Sequence, residues 1–336
     1  MKAVIGAIEY HLPEGMLASQ DLAREFPDWS VEKIESKTGI RERHIAAENE
    51  CSSDLGIAAA RRLFATGAAQ PGDIDFLLFC TQSPDYFLPT TACLMQSALN
   101  IPTSAGALDF NLGCSGFVYG LSLAKGLIET GQAANVLLIT AETYSKFIHP
   151  RDRSVRTIFG DAAAATLIRG EARDAESIGP FVFGTDGTGA GNLMVPAGGM
   201  RRRSKGGEAV EDAEGNWRGP DNIFMNGAEL FSFTMTEVPA SVKALLLRTG
   251  TTLADYDLFV FHQANRYMLN HLRKTMGIAE ERFYFALEHC GNTVSSTIPI
   301  ALKNAADENR LAVGQRVMLV GFGVGYSWCA ASIIWG

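Results

Sequence analysis

Apolar positions in this chain fall into short runs of two kinds. Phe76-Leu-Leu-Phe-Cys-Thr-Gln82, Asn135-Val-Leu-Leu-Ile-Thr140 and Leu258-Phe-Val-Phe261 are apolar without alternation, which predicts strands covered on both faces, as in a parallel sheet. Met1-Lys-Ala-Val-Ile-Gly-Ala-Ile8 reads as a first strand, and Ala107 to Leu112 as another buried one. Helical spacing covers 54–66, 91–99 and 116–129, and a short helix from Ser30 closes at Gly39, ahead of a loop over Thr38-Gly-Ile-Arg-Glu-Arg-His44. The 116–129 helix carries Phe117, Val118, Leu121, Leu123, Leu127 and Ile128 around most of its circumference. It therefore belongs in the centre, with Lys125 and Glu129 at a wet end. Strands alternating with helices predict the α/β class.

The second half repeats the pattern of the first. Phe76 to Gln82 matches Asp257 to Gln263, Asp109 to Cys114 matches Leu287 to Asn292, and Val136 to Thr140 matches Val317 to Gly321, all at offsets of about 180. Two related halves follow, 1–172 and 173–336, the second holding a Gly- and charge-rich surface insertion at 185–222. Turns after corresponding strands meet near the pseudo-dyad of such a pair, so Cys114, His262, Asn292 and Gly323 are expected to converge.

Cys114 lies where a strand turns into a helix. The free amides and dipole of a helix N-terminus favour a thiolate, so a thiol pKa of about 8.5 is expected to fall toward neutrality there. The bland alternative is a small core residue, and partners decide between the two. His262 ends the strand Leu258 to Phe261, where it is either a satisfied core histidine or the partner of a thiol nucleophile. Asn292 is a turn residue by default, yet it occupies the repeat position of Cys114. Gly321-Phe-Gly-Val-Gly325 is spaced like a dinucleotide fingerprint, but the eleven residues after Gly325 are too few for a βαβ unit. Bringing a backbone amide to a developing oxyanion suits it better, a contact worth about 3 to 4 kcal/mol in acyl transfer.

A net charge of -8 speaks against nucleic acid as a partner. The cations nonetheless cluster, at Arg151, Arg153 and Arg156, at Arg201, Arg202, Arg203 and Lys205, and at Arg266, Arg273 and Lys274. Each group is a solvated face, or a seat for a phosphate-bearing ligand or an acidic carrier protein. The six cysteines show neither zinc nor redox spacing, and the sequence has no run resembling a membrane span and no signal-peptide pattern. A cytoplasmic protein with free thiols, no metal and no membrane contact is expected.

With these residues in hand the chain resembles the thiolase-like condensing enzymes, most closely the β-ketoacyl-acyl-carrier-protein synthase III group. The resemblance rests on Thr38-Gly-Ile-Arg-Glu-Arg-His44, Asn111-Leu-Gly-Cys-Ser-Gly116, Ile158-Phe-Gly-Asp161, His262-Gln-Ala-Asn265, Gly291-Asn-Thr293 and Gly321 to Gly325, in one order across nearly the whole chain. It implies duplicated βαβαβ halves in a five-layered αβαβα architecture, and a homodimer without a cofactor. The implied substrates are an acyl-CoA or acyl-carrier protein and a malonyl thioester. Cys114 would take the acyl group, with the amides of Cys114 and Val324 as oxyanion hole. His262 and Asn292 would then stabilise the enolate formed when the malonyl unit loses CO₂. Leu88, Lys37, Arg153, Phe159, Asn265 and Arg266 are the implied substrate-binding positions, with Asp161 structural.

Asparagine at 292 selects the Cys-His-Asn subgroup, and the glycine loop lacks the second cysteine of a degradative thiolase. Three positions depart from the family pattern: Lys33 replaces an adenine-stacking tryptophan, Tyr267 a docking arginine, and Leu88 a bulky aromatic that closes the acyl pocket. They point to a longer or functionalised acyl donor, delivered by a carrier protein to the Arg201 to Lys205 and Arg266 surface. Two other readings stand beside condensation: acyl transfer to an oxygen or nitrogen acceptor without decarboxylation, and a catalytically silent partner subunit.

Overall fold

The computed structural model describes residues 1–204 and 206–336, so Lys205 of the expected basic surface lies outside the described residues. Phe76–Cys80 sits between Gly106–Phe110 and Asn135–Glu142, parallel to both, and Ala162–Glu171 and then Lys2–His11 extend this five-stranded sheet antiparallel. The second sheet repeats that order and those directions: Leu258–Phe261 runs parallel to Arg316–Gly323, followed by Ser327–Ile334 and Ile178–Thr185, both antiparallel to their neighbours. The counterpart of Gly106–Phe110 is reduced to one bridge, between Phe259 and Phe283.

The unalternating strands are buried on both faces. Leu78, Val136 and Leu138 of the first sheet, and Leu258, Val260 and Leu319 of the second, point into one shared central core. Their neighbours point outward: Leu77, Phe79, Leu137 and Ile139 under Ser52–Ala65 and Thr91–Ala98, and Phe259, Phe261, Met318 and Val320 under Gly227–Thr249 and Arg266–Thr275. Gly116–Glu129 and Thr297–Asp307 fill the space between the sheets, which completes the five-layered αβαβα architecture. The 116–129 helix is buried as expected over most of its length, but its exposed positions include Leu123 and Gly126.

Three local expectations change. The stretch after Gly39 is not a loop, because Glu42–Ile45 pairs antiparallel with Gly15–Ala18. Arg43 within it is fully buried, donates from Nε to the Thr157 carbonyl at 3.0 Å and from Nη1 to Ser19 Oγ at 3.1 Å, and is pushed down to about 10 by desolvation. The 185–222 segment is not wholly a surface insertion. It buries Leu193, Ala197 and Asn216, pairs Leu193–Met194 with Phe224–Met225, and holds Arg218 against Asp152 and Asp212. Finally, Gly227–Thr249 is long and apolar enough to cross a membrane by length and composition. In the fold it lies along the second sheet and buries Leu230, Phe233, Val238, Val242 and Leu245 there.

Candidate active site

Cys114 and His262 follow two strands, Asn292 follows a turn and bridges Phe159, and all three face one cavity of about 170 Å³, lined also by Phe159, Leu193, Met225, Leu230, Asn265, Met268 and Phe322. Cys114 follows the Gly106–Phe110 strand and directly precedes the turn into Gly116–Glu129. The glycine strand Arg316–Gly323 passes so close that a Cβ on Gly323 would lie 3.0 Å from Cys114 Sγ, and one on Gly321 would lie 2.7 Å from Ser115 Cα. Ser115 Oγ and Ser327 Oγ, 2.5 Å apart, join the two halves beside it.

His262 is held from both sides. Its amide donates to the Val320 carbonyl at 2.8 Å, and its Nδ1 lies 2.8 Å from Thr297 Oγ1. The Thr297 hydroxyl is also 3.0 Å from the Val294 carbonyl, so its single proton can go to either acceptor. Burial lowers the imidazole to about 3, and it is neutral at physiological pH. Asn292 Oδ1 accepts from the Val294 amide at 2.9 Å, which leaves its amide hydrogens for the cavity.

The thiol departs from expectation. Cys114 is 6% exposed, and desolvation, reinforced by Glu142, pushes it up rather than down. The helix terminus does not compensate, because burial penalises the charged form more strongly here. The resting site thus pairs a neutral thiol with a neutral imidazole.

Glu142 had no signal in the sequence beyond ending an apolar strand. It is fully buried, accepting from the Gln82 amide at 3.0 Å, Ser83 Oγ at 3.2 Å and, across the halves, Ser295 Oγ at 2.9 Å. Burial raises it to about 8 against those three hydrogen bonds. The folded state therefore binds a proton that the unfolded state has released above about 4.5, and the stability this contributes is lost as pH rises through about 8. Melting midpoints should fall between about pH 5 and 8 in the wild type and level off above, and fall less steeply in Glu142→Gln. Parallel slopes would show that the carboxyl does not titrate in that window.

The other expected residues are dispersed. Phe159 and Asn265 line the cavity, and Asn265 Oδ1 also caps Arg266–Thr275 by accepting from the Met268 amide at 2.8 Å. Val324 borders a neighbouring chamber. Arg266 packs over Phe285 and pairs with Glu288 at 3.5 Å. Leu88 is 82% exposed and does not reach the cavity of its own chain. Asp161 accepts from the amides of Ala46 and Ser145, and burial raises its pKa.

Lys37 and Arg153 meet at a residue that the sequence reading passed over. Trp29, one turn before Lys33, has Lys33 Nζ at 5.0 Å, Lys37 Nζ at 5.8 Å and Arg153 Cζ at 5.9 Å from its ring centroid. An indole stands in this corner although position 33 is lysine.

Residues 108–187 match the family described as 3-oxoacyl-[acyl-carrier-protein] synthase III, and residues 246–335 match the C-terminal part of the same family. The β-ketoacyl-[acyl-carrier-protein] synthase III of Caldanaerobacter subterraneus subsp. tengcongensis is 36% identical over 332 residues, covering 99% of this chain and 97% of the relative. Among solved structures, a 3-oxoacyl-(acyl-carrier-protein) synthase III is 55% identical with a TM-score of 0.99, each chain covered fully. The 3-oxoacyl-(acyl-carrier protein) synthase of Burkholderia xenovorans LB400 is 35% identical with a TM-score of 0.92, over all of this chain and 95% of that one.

Proposed function

This chain belongs to the 3-oxoacyl-[acyl-carrier-protein] synthase III family, and on that premise we propose how its own residues carry the reaction. The enzyme is an acyltransferase of β-ketoacyl synthase III type: it loads an acyl group from a thioester onto a cysteine and condenses it with a malonyl thioester, with loss of CO₂. No cofactor enters. The observation that carries the residue assignment is the single cavity shared by Cys114, His262 and Asn292.

Cys114 Sγ attacks the donor carbonyl, the new C–S bond forms, and the thiol proton leaves on the departing donor sulfur. The amides of Cys114 and Val324 receive the oxyanion. Because the resting thiol is neutral, it must lose its proton as the donor reacts. His262 can accept it through Nε2 while the Thr297 proton points to the Val294 carbonyl. The other tautomer, reached when the ring exchanges its Nδ1 proton for one on Nε2 between the two steps and held by the Thr297 proton turned to Nδ1, presents Nε2–H to the malonyl thioester carbonyl beside the Asn292 amide. The carboxylate then leaves as CO₂, its electron pair passes into the enolate, and the enolate carbon attacks the acyl group, expelling Cys114. Neutral donors in a water-poor cavity suit a charge that exists only during reaction.

For the donor, Trp29 with Lys33, Lys37 and Arg153 offers a stacking ring among cations, which suits the nucleotide end of coenzyme A. This supports a CoA-borne first substrate and a carrier-borne malonyl unit. The half-exposed edge strand Gly106–Phe110 and the exposed Tyr86, Phe87 and Leu88 support a homodimer through that edge. The reading is of a cytoplasmic enzyme without membrane contact, since the long apolar helix is spent on the second sheet. The halves 1–172 and 173–336 are read as repeats of one unit, supported by their matching strand order.

One preparation tests this. Its native mass should be twice 36.2 kDa, acyl-CoA should add the acyl mass to Cys114, and carboxyl-labelled malonyl thioester should then release CO₂. Trp29→Ala should raise KM for CoA donors about tenfold. Loading without CO₂ release would move the reading to acyl transfer onto an oxygen or nitrogen acceptor.

A further inference from the structure

Beyond the reaction cavity lies a second chamber of about 160 Å³, lined by Phe147, Met194, Val195, Ile223 and Val324, with Gln82 and Asn111 at its polar side. Tyr144 and Leu193 line both spaces, while Cys114 lines the first alone. An acyl chain growing away from Cys114 toward the chamber therefore meets the wall that Tyr144 and Leu193 share, of which the Tyr144 ring is the hydrogen-bonded member. That ring is built in on several sides. Its hydroxyl donates to Gln82 Oε1 at 2.5 Å, and its face packs at 5.2 Å from Phe159 and 5.9 Å from Phe147 between ring centroids. Gln82 is itself anchored, through Nε2 to Asn111 Oδ1 at 3.1 Å and through its amide to Glu142 at 3.0 Å. Tyr144 is 5% exposed, and its partner Gln82 is half-buried.

We propose that Tyr144, locked by its hydrogen bond to Gln82, is the partition that sets acyl length at Cys114. Short acyl groups fit on the cysteine with the partition closed. Longer chains reach the chamber only by displacing the ring, which breaks the hydrogen bond of the Tyr144 hydroxyl to Gln82. Apart from Gln82 and Asn111 the chamber walls are apolar, so a chain that gains entry is held well, and the selection lies in the partition rather than in what is behind it. This runs opposite to the expectation of a longer donor, which rested on Lys33, Tyr267 and Leu88. It rests on the reading that Cys114 accepts acyl groups from thioesters.

The test measures kcat/KM for acylation of Cys114 by acetyl-, butyryl-, hexanoyl- and octanoyl-CoA, with the added mass confirmed on the protein. Wild type should favour acetyl and butyryl. Tyr144→Leu should raise the octanoyl-to-acetyl ratio at least tenfold, and Tyr144→Phe, which keeps the ring and loses the hydroxyl, should raise it by a smaller factor. A merely structural role would slow every donor alike, so ratios unchanged in both variants overturn the proposal. So does a wild type that prefers octanoyl. If Tyr144→Leu fails to fold, Tyr144→Phe alone decides by the same ratio. A folded wild type that no donor acylates would instead overturn the acyl-enzyme reading, and the partition with it.

Discussion

Cys114→Ala should abolish acyl-enzyme formation, whereas His262→Ala and Asn292→Ala should still load an acyl group and lose condensation by about a hundredfold to a thousandfold. The size follows from removing a preorganised donor to a developing oxyanion, which costs on the order of 3 to 4 kcal/mol where water is excluded. The division follows from where each residue stands. Asn292 contributes an amide whose oxygen is already bound to the Val294 backbone, so its remaining chemistry is donation, which the enolate needs. His262 has a share in both steps, because its neutral imidazole can accept the thiol proton or offer Nε2–H. His262→Ala should therefore also slow loading, by a smaller factor than condensation, while Asn292→Ala should not. Stopped-flow loading and single-turnover condensation on each variant separate the two steps. Loading lost altogether in folded Asn292→Ala would overturn the assignment.

Gly321→Ala should have the next largest effect, lowering the loading rate by about a hundredfold while the protein remains folded. The added Cβ would meet Ser115 Cα at 2.7 Å and the Cys114 carbonyl oxygen at 2.9 Å, and both are backbone. No side chain can rotate away, so either the strand or the nucleophile turn must move. Overpacking of this kind costs about 1 to 3 kcal/mol, and a misplacement of about 1 Å at a reacting atom costs about a hundredfold in rate. Gly126→Ala, in the helix that follows Cys114, is the control, because a Cβ there has nothing within 4 Å. It should leave loading unchanged and stabilise the helix slightly. Equal rates for Gly321→Ala and wild type would mean that the contact relaxes without moving the thiol.

What was legible in the sequence was whatever is local. Cys114, His262 and Asn292 each end an apolar run or sit at its repeat position, so strand ends alone put them on the list. Buried strands were legible because both faces are apolar, which removes the alternation. Tyr144, Glu142 and Thr297 were not legible, since nothing near them in the chain requires their roles. Tyr144 acquires its meaning from Gln82, 62 residues earlier, and Glu142 from Ser295, 153 residues later. The thiol pKa was misjudged for a related reason. A turn-to-helix junction is visible in sequence, but the desolvation that outweighs it comes with the tertiary fold, in which Gly321 and Gly323 of the other half press against the turn. Trp29 lies in the bend before the 31–38 helix, four residues ahead of Lys33, so the indole enters this corner from a point of the chain that the family pattern does not mark.

The covered, neutral thiol at Cys114 also bears on how the enzyme meets peroxide and electrophiles. Oxidation to sulfenic acid and alkylation by small reagents both proceed through the thiolate, and they favour cysteines that are ionised and open. A nucleophile kept protonated at 6% exposure until a donor enters is shielded by its own resting state, with no need of a protecting partner. Reactivity arises only with an acyl donor in place. Inhibitors built as bare electrophiles should therefore be slow against this site, and those carrying a thioester-like recognition element should be fast.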